Sequence, residues 1–184
     1  MTGRRPNLIA RWARNHKGAM AVEFAVVVPI MLIAYLGGYE TTQAIATYRK
    51  LGDTTAELAN IIAQYTSMSA TDVSTVMNAS AQIMAPYPTS NLKIVVAEIG
   101  TDASNAATVK WSCAYNGGTA LVANSSVTLP TGMATASTSY ILVTTAYAWQ
   151  PLTQVAFHSA LNLSSKIYML PRQSPSITGP TTAC

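Results

Sequence analysis

Residues 19–38 read AMAVEFAVVVPIMLIAYLGG, and this stretch decides the architecture. Sixteen of its twenty residues are apolar, the exceptions being Glu23, Pro29, Gly37 and Gly38. At about 1.5 Å of rise per residue, a helix of this length reaches ~30 Å, the hydrocarbon thickness of a bilayer. The flanks give it a direction. Arg4, Arg5, Arg11, Arg14 and Lys17 precede it with no acid among them, against Arg49 and Lys50 in the fifteen residues beyond it. The positive-inside bias therefore predicts a cytoplasmic N-terminus and an exported remainder.

The whole chain fits that division. Its 184 residues are 49% hydrophobic and only 10% charged, which suits one modest folded domain plus a segment that must leave water, and excludes a disordered chain. The formal charge of +4 belongs to the first eighteen residues, because the rest carries six basic and seven acidic side chains. A nucleic-acid-binding face on the folded part has no support. Cys113 and Cys184 are too few for a disulfide scaffold or a zinc ribbon, but they suffice for one bridge in an oxidising compartment. That bridge would close a loop of 72 residues, counting both ends. In the chain-entropy account such a loop is worth ~4 kcal/mol.

Glu23 is the anomaly in the apolar run, since a carboxylate at the membrane costs a few kcal/mol unless it snorkels to the headgroups or has a partner. Its surroundings are specific. Lys17-Gly18 precedes Ala19, Glu23 is the fifth residue after Gly18, and Phe24 follows. Glycine before a scissile bond lets the backbone lie extended in a protease cleft. Cutting there would free an α-ammonium at Ala19 close to the membrane boundary. In a bundle of such helices, the Glu23 carboxylate of one copy could neutralise the amine of the next where water is scarce. Small residues in the first turns and the Gly37-Gly38 pair allow close helix packing in lipid. Pro29 removes one amide donor and reads as a bend or a flexible point.

A basic leader, a glycine, four small or apolar residues, a glutamate, an aromatic and a long apolar helix together resemble the type IV prepilin signal. The form GAMAVEF followed by AVVVPIMLIAYLGGYE is similar to the TadE-like pseudopilins of the tight-adherence (Tad, or Flp) pilus system. The resemblance is specific over residues 14–50. It implies cleavage between Gly18 and Ala19 by a prepilin peptidase, with Glu23 and Phe24 serving assembly. It also implies partners among other Tad pilins or pseudopilins and, indirectly, the inner-membrane pilus platform and its assembly ATPase. TadE-like proteins often carry a cysteine at or near the end, as Cys184 does here. Phe24 departs from the tyrosine often found in major pilins, and the chain is much longer than those pilins. The length points to a minor, priming or tip role.

Other readings compete. Ala44-Ile45-Ala46 has the small-x-small form of a secretory signal peptidase site, although the apolar stretch is longer than the usual signal core and contains Glu23. A minor pseudopilin of a type II secretion machine, or a membrane-tethered extracytoplasmic adhesin or binding module, would share the anchor.

Beyond the span, Ile45, Tyr48, Leu51, Thr55, Leu58, Ile62 and Tyr65 recur at spacings of three and four, predicting a helix continued to about residue 65. Ser69 and Asp72 have the form of a capping box, opening a second helix that ends before Pro86. Strands are predicted at 92–100, 109–115, 140–149 and 164–170, with a Ser/Thr-rich exposed loop over 124–139 and an irregular tail from Pro171. The expected organisation is a leader over 1–18, a membrane helix over 19–38, its amphipathic continuation over 39–66 and an extracytoplasmic domain over 67–184. The expected fold is α+β, with the stalk helix laid on a small antiparallel sheet.

No catalytic set, cofactor motif or metal site is expected. His16 lies in the leader, and His158 has no Cys or carboxylate near it in sequence. Asp53, Glu57, Asp72, Glu98 and Asp102 show no paired spacing for acid/base work. Residues 102–105 read as a turn and lack the alternating ligands of a calcium loop.

Overall fold

A computed structural model describes residues 18–181 and residue 184; the expected leader, apart from Gly18, lies outside them. Helix α1, Ala19–Ile62, is continuous for 44 residues and carries Pro29 within it. Two environments divide this rod. From Met20 to Tyr39 most of its large side chains stand uncovered, with Met20 78%, Phe24 69% and Tyr35 71% exposed. From Glu40 onward one stripe is buried: Glu40, Ala44, Thr47, Leu51, Leu58 and Ile62, with Thr54 and Thr55 between them.

The stripe keeps the expected period but not all the expected residues. Leu51, Thr55, Leu58 and Ile62 are buried, whereas Ile45, Tyr48 and Tyr65 are exposed. The buried face runs through Ala44 and Thr47, whose small side chains let the rod lie close to the sheet. Hydrophobicity alone favours their larger neighbours. Tyr65 follows the end of the helix at Ile62, so the helical period no longer places it.

Helix α2, Ala70–Ala81, opens with the expected capping box. Ser69 Oγ accepts from the Asp72 amide at 3.2 Å, and Asp72 Oδ2 accepts from the Ser69 amide at 2.9 Å. The Ser69 hydroxyl, followed by its amide, holds the Asp72 carboxyl below the ordinary carboxylate range.

Four antiparallel strands follow: β1 (Leu92–Thr101), β2 (Ala107–Tyr115), β3 (Ser139–Trp149) and β4 (Leu161–Met169), in the spatial order β2-β1-β3-β4. The fold is α+β, as expected. The fourth strand starts three residues before its expected position, because Leu161 and Leu163 alternate with exposed Asn162 and extend the half-buried face. β1 is buried on both sides. Leu92, Ile94 and Val96 pack toward the helices with Ile141, Val143 and Tyr147, while Ala97 and Ile99 pack on the opposite face with Val109 and Leu142.

A bulge reconciles the two faces. Glu98 pairs with Trp111 but Ile99 pairs with Val109, leaving Lys110 as the extra residue. Residues paired across a ladder point the same way, so the insertion turns Val109 to one face and Trp111 to the other.

The Ser/Thr-rich segment is less exposed than expected. Asn124, Ser125 and Val127 hydrogen-bond to the outer edge of β2, and Leu121, Val127 and Leu129 pack half-buried on the sheet's second face. Apolar residues spaced irregularly through a polar loop carry no periodic signal, and so the sequence pattern conceals them.

The irregular tail is built into the core. Ile177 is 1% exposed. The Arg172 amide donates to the Ala63 carbonyl at 2.8 Å, and Thr66, Met68 and Thr178 exchange two further backbone bonds. A Cβ at Gly179 would stand 2.1 Å from the Trp111 ring, so only glycine lets the tail cross the indole there. A disulfide joins Cys113 to Cys184. Ile177→Ala should cost the domain about 2–5 kcal/mol, and Gly179→Ala should also destabilise it. Urea unfolding followed by tryptophan fluorescence checks both, and unchanged midpoints would show that the tail is not part of the core.

Candidate functional site

The segment that matters most is the uncovered half of α1. Eleven large hydrophobic side chains between Met20 and Tyr39 are exposed. At roughly 1.5–3 kcal/mol for each such side chain, leaving them in water forfeits on the order of 20 kcal/mol. That exceeds the net stability of about 5–15 kcal/mol typical of a whole domain. Lipid or neighbouring helices must cover this surface. The helix is long and apolar enough to cross a membrane, with none of its most apolar window buried by the rest of the chain.

The sequence-predicted site residues fall in two places. Gly18, Ala19, Glu23 and Phe24 lie at the free end of the rod, with Glu23 and Phe24 both exposed. Gly18 is the helix N-cap without a side-chain hydrogen bond, and the first turn contains no acid. The positive end of the helix is thus left without a carboxylate in its first turn. Cys113 and Cys184 sit in the α+β domain, joined to each other and remote in sequence from the rod's tip. The alternative processing site at Ala44 to Ala46 lies inside the continuous helix, with Ala44 buried against the domain.

Sequence reasoning missed Glu40. It is 1% exposed, and the β3–β4 loop closes around it. Oε1 accepts from the Thr153 amide at 2.7 Å and the Thr153 hydroxyl at 2.6 Å, and Oε2 accepts from the amides of Ala156 at 2.9 Å and Phe157 at 3.4 Å. The Thr153 hydroxyl is the largest influence holding this carboxyl down at about 2, against burial, which pushes it up; the amides of Ala156, Thr153 and Phe157 lower it further. The only signals in the sequence are an acid two residues beyond Gly38 and its helical spacing of four, seven and eleven to Ala44, Thr47 and Leu51. Its partners are a hydroxyl and main-chain amides more than a hundred residues away, which no pattern of charges reveals.

Glu98 is a second buried carboxylate, 2% exposed. Trp111 Nε1 donates to its Oε2 at 2.6 Å, and the Ile177 amide donates to Oε1 at 3.0 Å, joined there by the Ser139 hydroxyl. These donors tie β1, β2, β3 and the tail together. The role is structural, and the carboxylate's hydrogen-bonding capacity is occupied from within the chain. His158 is exposed on the β3–β4 loop, and His16 lies outside the described residues. Among the described residues no group of three or more His, Cys, Asp or Glu could hold a metal ion.

This geometry defines a class: an α+β domain seated on the second half of a helix whose first half is fit for a membrane. Residues 18–60 match the family model described as TadE-like protein, and this part of the chain is similar to that family. The match supports involvement in the Tad pilus, with other components of that pilus as partners. The match covers the rod and stops before the sheet. No curated protein and no solved structure matches the chain.

Glu40 gives a pH dependence whose sign follows from its bonds. A carboxyl held at about 2 when folded, against an ordinary 4.5, stabilises the seat fully above pH 4.5. The contribution is lost as pH falls from 4.5 through 2. Amide protection at Thr153 and Ala156, corrected for intrinsic exchange, should fall across that window. Glu40→Gln should lower it at neutral pH and flatten the profile; an unaltered profile would show that the carboxylate does not hold the loop.

Proposed function

We propose that this chain is a minor pilin or pseudopilin taking part in assembly of a Tad-type pilus for surface adherence, in priming, at the tip or in biogenesis. Its precursor is cut by a prepilin peptidase between Gly18 and Ala19. The mature protein sits in the bacterial inner membrane by residues 19–38, with a cytoplasmic N-terminus and a periplasmic domain, and can pass into an extracellular pilus. Its partners are the peptidase, other Tad pilins or pseudopilins and, through them, the membrane platform and assembly ATPase.

One observation carries this reading: the TadE-like segment coincides with an uncovered apolar rod that bears Glu23 one turn beyond its start. A tether needs only apolar length, whereas Glu23 adds a cost that a tether has no reason to bear. The rod's first turn holds no compensating acid. A freshly exposed amine at Ala19 would add charge to that end, and the Glu23 carboxylate of an adjoining copy or relative would satisfy it. Bulk supports a minor role, since a domain of over a hundred residues on every helix crowds a thin fibre.

Intact-mass measurement or N-terminal sequencing of the membrane-bound protein should find a chain beginning at Ala19. Gly18 has open space where a Cβ would lie, so Gly18→Leu should fold normally yet block trimming. Glu23→Ala should be trimmed but fail to enter pili. A mature chain beginning at Met1 or after Ala46 would refute the reading, and full activity of Glu23→Ala would favour a simple tether.

A further inference from the structure

The loop that grips Glu40 reads QPLTQVAFHSA over residues 150–160, with no Lys, Arg, Asp or Glu among them. Pro151 is buried and Phe157 meets Trp149 edge to face, with ring centroids 5.7 Å apart. Leu152, by contrast, is 81% exposed although both its chain neighbours are engaged, Pro151 by burial and Thr153 by Glu40. The loop's height along the rod is fixed by two contacts. Thr153 bonds to Glu40, and a Cβ built on Gly37 would lie 3.7 Å from that of Ala156.

If residues 19–38 fill the hydrocarbon layer, Glu40 lies two residues past its edge, about 3 Å along the axis. The headgroup layer on each side is roughly 5–7 Å deep. Ala156 packs at Gly37, within the span itself. The loop, without Lys, Arg, Asp or Glu, is therefore held inside the headgroup layer, on the same side of the bilayer as exposed Tyr35 and Tyr39, aromatics of the kind that favour that depth. A leucine there is better placed against acyl chains than in water.

We infer that the β3–β4 loop is a lipid-contacting surface: Leu152 inserts at the boundary of headgroups and acyl chains, and the Glu40 clamp sets its depth, so that the domain rests on the bilayer at a fixed height and tilt. This rests on the membrane reading of residues 19–38, and the test separates the two.

The whole chain, with Cys113 and Cys184 left oxidised, is reconstituted in phosphatidylethanolamine/phosphatidylglycerol vesicles. It carries one nitroxide at a time, through Leu152→Cys, Ile30→Cys or Val122→Cys. Collisional relaxation by oxygen is compared with relaxation by a water-soluble nickel chelate. Val122 is 73% exposed on the loop beside β2 and serves as the aqueous reference, and Ile30 is the lipid reference. A label at 152 should favour oxygen severalfold over one at 122 and approach the behaviour of one at 30. A label at 152 that matches 122 while 30 reports lipid would overturn the lipid-contacting loop alone. Water-like behaviour at both 152 and 30 would overturn the membrane span and the inference with it.

Discussion

One carboxylate fixes where the rod stops belonging to its surroundings and starts belonging to the domain. The stripe that α1 presents to the sheet consists of small and apolar residues at spacings of three and four, and such a stripe can dock in registers one turn, about 5.4 Å, apart. Dispersion and burial discriminate poorly among those registers, because each buries similar side chains. Glu40 discriminates sharply. A buried carboxylate is tolerable only where donors replace its water, and the β3–β4 loop offers three amides and a hydroxyl at one position along the rod. A shift of one turn would leave that carboxylate buried and unpaired.

Glu98 solves the same problem in the sheet by the same chemistry. Its donors come from a neighbouring strand, from the start of β3 and from the tail, so one side chain holds together elements that are far apart in sequence. The tail needs this anchoring because it has no regular structure of its own. Ile177 supplies apolar burial, Glu98 and the bonds to residues 63–68 supply direction, and the Cys113–Cys184 bridge closes the far end onto β2. The second face of the sheet is closed more economically, by three half-buried side chains from a loop that otherwise reads as solvent-exposed.

What was legible in the sequence was whatever repeats. The apolar run announced the rod, the Ser69–Asp72 pair announced α2, and β-branched clusters announced all four strands to within three residues at their starts. What was hidden depends on pairing across distance. Ile45 and Tyr48 outrank Ala44 and Thr47 in hydrophobicity, yet close approach to the sheet selects the smaller pair, and only the assembled structure reveals how near the sheet comes. Leu121, Val127 and Leu129 have no period to betray them. Glu40 stays hidden because its donors are a hydroxyl and backbone amides carried by a distant loop.

The two glutamates of the apolar and boundary region follow opposite logic, which divides folding from partnership. Glu40 lies 17 residues after Glu23 on one continuous helix, about 26 Å along its axis. Glu40 is buried, accepts four hydrogen bonds and is accounted for entirely by its own chain. Glu23 is exposed on a segment whose surface must be covered by lipid or by other helices. Acyl chains or apolar helix faces take water from the carboxylate, and that cost is offset where the side chain reaches the headgroups or meets a donor or cation on a neighbouring helix. Because the helix is continuous between the two residues, with Pro29 the one point where an amide donor is missing, a partner that engages Glu23 also bears on the height at which Glu40 and the domain stand above the membrane.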